Sequence, residues 1–228
     1  MAACYHCAAS LWVCASLPLS LLVSWTDIAP TLLTLAEHAI DARYDGRVLF
    51  GPQKQDAPTH VFAARDRMGE CFDRLRAARS QQYLYIRNDF PQLPWAQRLD
   101  YMEFMPVTHE MRQMHAGGRL HGDAALWMQE RKPAEELYDT RADPHCLRNL
   151  AGDAAYSETL ASHRGAVEAW VERIDDQGYT SEQALIDAGV VVDRLTEEYG
   201  IRFTPLPEPL RAGGTYDAYL TEADVPPA

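Results

Sequence analysis

The stretch RDRMGE, from Arg65 to Glu70, sets cations and anions in alternation just past a run of strand-forming residues. Guanidinium forks suit sulfate, phosphate or carboxylate, so a cluster of arginines is a natural receiver of an anionic ligand. Arg65, Arg67, Arg74, Arg76, Arg79 and Arg87 all fall on or near neighbouring strand-like runs. For most of them the simpler expectation is a sheet face ion-paired to Asp66, Glu70 and Asp73. RDRMGE is the exception, because segments just past strand ends commonly line pockets. Arg65, Asp66, Arg67 and Glu70 are therefore the candidate substrate-pocket residues.

A second chemistry-bearing stretch, PAEELYDTRADPHCLRNLA (133–151), holds four carboxylates, a histidine and a cysteine. As a strand it would point Glu135, Leu137 and Asp139 one way and Glu136 and Tyr138 the other. Carboxylates split between faces make a poor metal cage. Asp143-Pro144 reads as a turn starter, so the expectation is a strand, a corner and the approach to a helix. HEMRQMH resembles a zinc-protease motif, but His109 and His115 are six apart, about 240° around a helix, and do not share a face. His60, His121, His145 and His163 lack partners at ligand spacing and read as surface or loop residues. The five cysteines form no paired CxxC motif, and Cys4-x-x-Cys7 sits in no strand–helix context. No GxSxG, phosphate loop or GxGxxG occurs. No catalytic residue and no metal ligand is assigned.

These residues need elements to position them. TDIAPTLLTLAEHAI (26–40) has the apolar stripe of a helix, and the turn-rich 46–58 follows it. Runs 60–66, 71–79 and 82–88 read as strands joined by short links, which favours antiparallel hairpins. Within 91–132, a helix is expected from Thr108 as N-cap to Gly117 as stop. A strand at 135–139 precedes a long helix over 154–174 capped by Asp153. Another helix is marked by Thr180 with Gln183, then Leu185, Val192, Leu195, Tyr199 and Gly200. The fold class is α+β, with a small antiparallel sheet packed against a long C-terminal helix. A net charge of −12 argues against nucleic acid or an anionic membrane as partner. Eleven acids face three arginines from Asp175 onward, making an acidic tail. Residues 8–25 are apolar but lack a basic flank for a signal peptide and are Pro-interrupted for a spanning helix. A cytoplasmic or periplasmic location fits both.

Taken in order, VSWTDIAPTLLTLA, HVFAARDRMGECFDRLRAARSQQYLYIRN and PAEELYDTRADPHCLRNLAGDAAYSETLASHRGAVEAW resemble the C-terminal part of the type I sulfatases of the alkaline-phosphatase superfamily, in the sulfamidase-like branch. The resemblance implies an unmatched Cys-rich start (1–21), a remnant of the large α/β domain (22–45), the sulfatase C-terminal subdomain (46–178) and an acidic helical and Pro-rich tail (179–228). It implies calcium and a formylglycine for the intact family, and a sulfated sugar or small sulfate ester as substrate. The formylglycine motif, Cys or Ser-x-Pro or Ala-x-Arg, is absent: Cys7 has Ala9 at the right spacing but Leu11 where arginine is needed. The calcium-binding Asp-Asp and Asp-Asn pairs of the family belong upstream of Leu22, and Asp175-Asp176 follows the last helix. The abrupt start of the match points to a truncated gene, a wrong start or a frameshift. The chain is expected to be a sulfatase fragment inactive alone. The alternatives are a stand-alone binding module, or a fragment of a phosphatase or phosphonate hydrolase of the same superfamily.

Overall fold

The computed structural model describes residues 21–66, 71, 73–180 and 182–190. Its centre is one four-stranded sheet, wholly antiparallel, in the order β1 (Val61–Arg65), β2 (Leu75–Arg79), β3 (Tyr83–Asn88), β4 (Glu135–Asp139). Ala77 faces Ala63 on one side and Ile86 on the other, and Tyr85 faces Leu137. The short β2–β3 link makes a hairpin closed by Ser80, whose amide donates to the Tyr83 carbonyl. Alternation then sorts the side chains. Ala78, Tyr85 and Leu137 go to one face, where Leu150 and Val167 cover them. Leu75, Ala77, Leu84, Ile86 and Tyr138 go to the other, with Cys146 and Trp95.

The first face is closed by the long helix. Within the span 22–190 the helices are α1 (Ile28–Leu35), α2 (Asp100–Glu103), α3 (Pro106–Ala116), α4 (Asp123–Leu126), α5 (Ser157–Arg173) and α6 (Glu182–Asp187). Asp153 starts the 3-10 turn that leads into α5 by accepting from the Ala155 amide. Val167 is fully buried on the sheet, and Trp170 stacks on Phe62 with ring centroids 5.0 Å apart. Glu135 fixes the rotation of α5: Arg164 grips it at 2.7 Å through Nε and again through Nη2, while Tyr85 Oη donates to it. The excursion between β3 and β4 builds its own small core from Cys71, Ala96, Leu99, Met102, Trp127 and Met128.

Ahead of the sheet, buried Asp27 ties the N-terminal segment together. It accepts from the Ser24 amide, the Arg47 amide and the Arg47 guanidinium. Gly46 passes so close to Thr26 that a Cβ there would sit 1.8 Å from the Thr26 carbonyl oxygen.

Five expectations need correction. The helix over 26–40 stops at Leu35, where Glu37 adopts φ 60° and the His38 amide reaches back to the Leu33 carbonyl. Strand β2 starts at Leu75 and not at Cys71, because β1 pairs no further than Arg65 and the Arg74 amide is taken by the Asp73 carboxylate. The helix α3 starts at Pro106 with Met105 as N-cap, because proline suits the first helical position; Thr108 lies buried inside its first turn, and Gly117 is the C-cap. The helix after Thr180 is only Glu182–Asp187, closed by Gly189 at φ 70°; Val192, Leu195, Tyr199 and Gly200 lie outside the described residues. His163 is also no surface residue. It is buried under the β2–β3 turn, bonded to the Thr159 carbonyl and Ser80 Oγ, with His60 edge-on at 4.9 Å. The other predicted strands, at 60–66, 82–88 and 135–139, and the helix near 154–174 form as read.

Leu137 is fully buried between the sheet and α5, so Leu137→Ala is expected to cost about 2–5 kcal/mol and to lower Tm by roughly 5–15 °C. Leu32, 60% exposed, serves as the control: Leu32→Ala should stay within about 0.5 kcal/mol of the parent in the same thermal melts.

Candidate functional site

The antiparallel order brings the C-terminal ends of β1 and β3 and the N-terminal ends of β2 and β4 to one edge of the module. Arg65, Asp66, Asp73, Arg74, Arg76, Asn88, Asp89 and Lys132 therefore meet there although up to 67 positions separate them in sequence. The chain leaving α5 returns to the same edge and adds Asp176 and Gly178.

The charges fall into two groups. In the first, Arg76 is buried on the sheet face and presents its fork to two carboxylates. Its Nε and Nη2 donate to Asp176 at 2.6 and 2.7 Å, and its Nη1 and Nη2 donate to Asp66 at 2.8 and 3.1 Å. Arg74 shares Asp176 at 2.9 Å, pairs with Asp89 and lies over the Tyr179 ring at 4.0 Å. Arg87 completes the group by pairing with Asp89 at 2.9 Å. Burial pushes the Asp176 carboxyl up, but the Arg76 hydrogen bonds, the Gly178 amide and the charges of Arg76 and Arg74 outweigh it and hold it at about 2. Burial likewise opposes the charge on Arg76, and its bonds to Asp176 and Asp66 more than offset that. Gly178 is required by this packing: a Cβ there would lie 2.2 Å from Arg76 Nη2 and 2.8 Å from Asp66 Oδ1.

In the second group, Asp73 is fully buried. It accepts from the Lys132 ammonium, from Gln97 Nε2 at 3.2 Å and from the Arg74 amide at 2.9 Å. Lys132, equally buried, sits 5.3 Å over the Trp95 ring. Burial pushes the Lys132 ammonium below the ordinary lysine range, against the pull of Asp73. Arg65 approaches Asp73 only to 3.6 Å. Next to Lys132, Glu136 accepts from Asn88 and Tyr138, and burial raises its carboxyl above the usual range.

Of the four residues read as pocket-lining, the structure puts Arg65 and Asp66 at this edge; Arg67 and Glu70 lie outside the described residues. Arg74, Arg76 and Arg87 are ion-paired, as a salt-bridged sheet face requires. Arg79 departs from the cluster: it lies at the opposite end of β2 and donates to Thr140 and the Gln82 carbonyl. Asp176, Lys132, Asp89 and Gly178 were not picked out from the sequence. The Asp175-Asp176 doublet was visible as a charge, but a partner a hundred positions upstream leaves no local signal.

Chemically the edge is a network of paired charges. Asp66, Asp73, Asp89 and Asp176 each already accept from arginine or lysine, and among the described residues no three His, Cys, Asp or Glu side chains converge on a metal position. This donor set does not fit the calcium that the resemblance implies for the intact family. The two described thiols, Cys71 and Cys146, are buried, and Cys71 Sγ donates to the Arg98 carbonyl. Among the described residues no helix is long and apolar enough to cross a membrane.

An α+β module with an edge of paired charges is what the geometry defines, and its sequence is similar to part of a sulfatase. The ulvan-active sulfatase of Formosa agariphila is 32% identical over 166 residues, which are 73% of this chain and 28% of that protein. The chain thus spans little more than a quarter of the relative it matches. No family model matches it. Among solved structures, a 2-O GAG sulfatase aligns with TM-score 0.43 and 22% identity over 68% of this chain and 26% of its own. A structure described in complex with its substrate D-glucosamine-2-N,6-O-disulfate aligns with TM-score 0.42 and 15% identity over 68% and 25%.

Two variants test the first charge group. Asp176→Asn leaves two buried guanidiniums short of a counter-ion and should cost about 3–5 kcal/mol at neutral pH. Because the folded carboxyl sits below its ordinary value, its stabilisation is present above about pH 4 and is lost as pH falls through about 2, a change of roughly 2 kcal/mol. The gap between parent and Asp176→Asn in denaturant titrations should therefore narrow across that window. Gly178→Ala should lower Tm, since Arg76 is held by two carboxylates and cannot swing clear; an unchanged Tm would show that the loop relaxes.

Proposed function

We propose that this chain is the C-terminal, substrate-facing portion of a sulfatase-type hydrolase, of the sulfamidase-like branch, which acts with a nucleophile and metal carried elsewhere in the intact enzyme. The observation that supports this is the 32% identity with the ulvan-active sulfatase, sustained over 166 residues. The substrate is a sulfated sugar or small sulfate ester. Arg65, Asp66, Arg67 and Glu70 contact the sugar or aglycone and do not perform the displacement. Sulfate ester or sulfamate hydrolysis requires the formylglycine and calcium of the intact family, and no residue of this chain is assigned to either.

The N-terminal segment adds support. Trp25, Leu32 and Leu35 are more than half exposed, and Phe50 nearly so, although they lie on a segment otherwise pinned by Asp27. Apolar side chains on a well-anchored helix suit a face made to be covered. On this reading they pack on the large α/β domain, with residues 22–45 belonging to that domain and 46–178 to the C-terminal subdomain.

The test uses the 228-residue chain with an aryl sulfate and added calcium. The expected result is no hydrolysis above an unrelated protein, together with binding of a hydrophobic dye that Leu32→Ser and Leu35→Ser together reduce. Calcium-dependent turnover by the chain alone would overturn the proposal. A monodisperse chain that binds no dye would instead favour a stand-alone binding module.

A further inference from the structure

Among the described residues His163 is the one buried histidine, 5% exposed, and it sits where α5 meets the β2–β3 hairpin. Both of its ring nitrogens are committed. Nδ1 lies 2.8 Å from the Thr159 carbonyl oxygen, which can only accept, so Nδ1 carries the proton. Nε2 is then a bare lone pair and accepts from Ser80 Oγ at 3.0 Å. Ser80 Oγ in turn accepts from the Tyr83 amide at 3.1 Å, which ties the same hydroxyl to the hairpin. A neutral imidazole thus fastens the first half of α5 to the turn between β2 and β3.

The groups around the ring offer it no counter-charge. From the segment ahead of β1 comes His60, edge-on with ring centroids 4.9 Å apart. From β3 comes the Tyr83 ring, edge-on at 6.0 Å and itself against Tyr156 ahead of α5. Arg79 of the hairpin and Asp139 of β4 are engaged elsewhere, Arg79 with Thr140 and the Gln82 carbonyl, Asp139 with Gln82 Nε2. On α5 itself Glu158 and Glu168 are exposed, and Arg164 grips Glu135. A proton added at Nε2 would place a charge beside His60 in a site closed to water, where no described carboxylate pairs with it. Burial accordingly pushes both histidines below their ordinary value; the charge of His163 adds to this at His60, and the Thr159 carbonyl opposes it at His163. The Glu135–Arg164 pair behaves oppositely: their mutual hydrogen bonds hold Glu135 below its usual range and Arg164 above its own, so this pair stays charged in mild acid.

We infer that His163 is an acid-sensitive latch: the neutral ring holds the first half of α5 on the β2–β3 hairpin, and a proton taken up from solvent releases that half while the Glu135–Arg164 pair keeps the helix anchored. Because the folded site favours the neutral ring, the latch contributes its full stability above the ordinary histidine value of 6.5. That contribution is lost as pH falls below 6.5 toward the lowered folded value. Release acts where α5 covers Tyr85 and Leu137, and the charged edge beyond the far end of the helix is left in place.

The experiment compares the full chain with its His163→Gln variant at pH 8 and pH 5.5, by thermal melts and by amide hydrogen exchange corrected for the intrinsic rate at each pH. Glutamine keeps a donor for the Thr159 carbonyl and an acceptor for Ser80 but cannot take up a proton. The expected result is that acidification lowers the protection of the amides in the first half of α5 about 10-fold more in the parent than in the variant, and the parent Tm about 2–4 °C more. Amides of β3 and β4 should keep their protection in both. An NMR titration of the parent should find the His163 ring titrating below 6.5. Equal losses in parent and variant would overturn the inference. So would a His163 ring that titrates at or above 6.5, or protection lost from α5 and the sheet together, which is global unfolding and not release of a latch. Should His163→Gln melt far below the parent at pH 8, the parent's own exchange at the two pH values decides: α5 protection that does not change with pH overturns the latch.

Discussion

Asp176 holds two buried guanidiniums, and much of the charged edge hangs on that one carboxylate. Its two oxygens accept from Arg76 Nε, Arg76 Nη2 and Arg74 Nη2, and the Gly178 amide fixes its rotamer. The bond ties the end of α5 to the middle of β2 and thereby sets where the chain goes after the long helix. Arg76 in turn presents its remaining donors to Asp66 and to the Leu75 and Arg65 carbonyls, so the end of β1 is fixed through the same guanidinium. A buried ion pair of this kind is a weak source of net stability, because desolvating both ions offsets most of their attraction. Its effect is geometric: two cations a turn of strand apart are held in one orientation each.

The burial of both sheet faces explains why such pairs are needed at all. β2 is the second strand of four and is covered by α5 on one side and by the Trp95 region on the other. Every side chain it carries from Leu75 to Ala78 is buried, Arg76 among them. A lone guanidinium in that position would be prohibitively costly. The carboxylates that answer it come from two separate segments, at 66 and 176. Tertiary closure and charge neutralisation are therefore the same event at this edge.

This also accounts for what could be read in the sequence. The strands were legible because β-branched and aromatic residues are concentrated between turn-forming stretches, and α5 because its apolar positions repeat with helical spacing above an Asp153 cap. The opposite pointing of Glu135 and Glu136 was legible from strand periodicity alone; the structure gives one to Arg164 on α5 and the other to Asn88 and Tyr138 on the far face. The helix ends were not. Glu37 at φ 60° stops α1 without a glycine to announce it, and Pro106 starts α3 ahead of the threonine that looked like its cap. The partners of the arginines were hidden for a different reason. Asp176 and Lys132 lie about a hundred and about sixty positions from the residues they engage, and spacing rules reach only a few positions along a helix or across a hairpin.

The same arrangement limits what the edge can do. A general base needs an unengaged lone pair near the substrate, and a metal needs several converging carboxylates. Here Asp66, Asp73, Asp89 and Asp176 are spent on arginine and lysine, which lowers the Asp176 carboxyl far below any useful proton acceptor at neutral pH. What they leave is a set of guanidiniums locked in direction by their counter-ions, with single donors of Arg65, Arg74 and Arg87 still unclaimed. Rigid, preoriented donors cost little ordering entropy when an anion arrives, so recognition is the chemistry that such a frame favours.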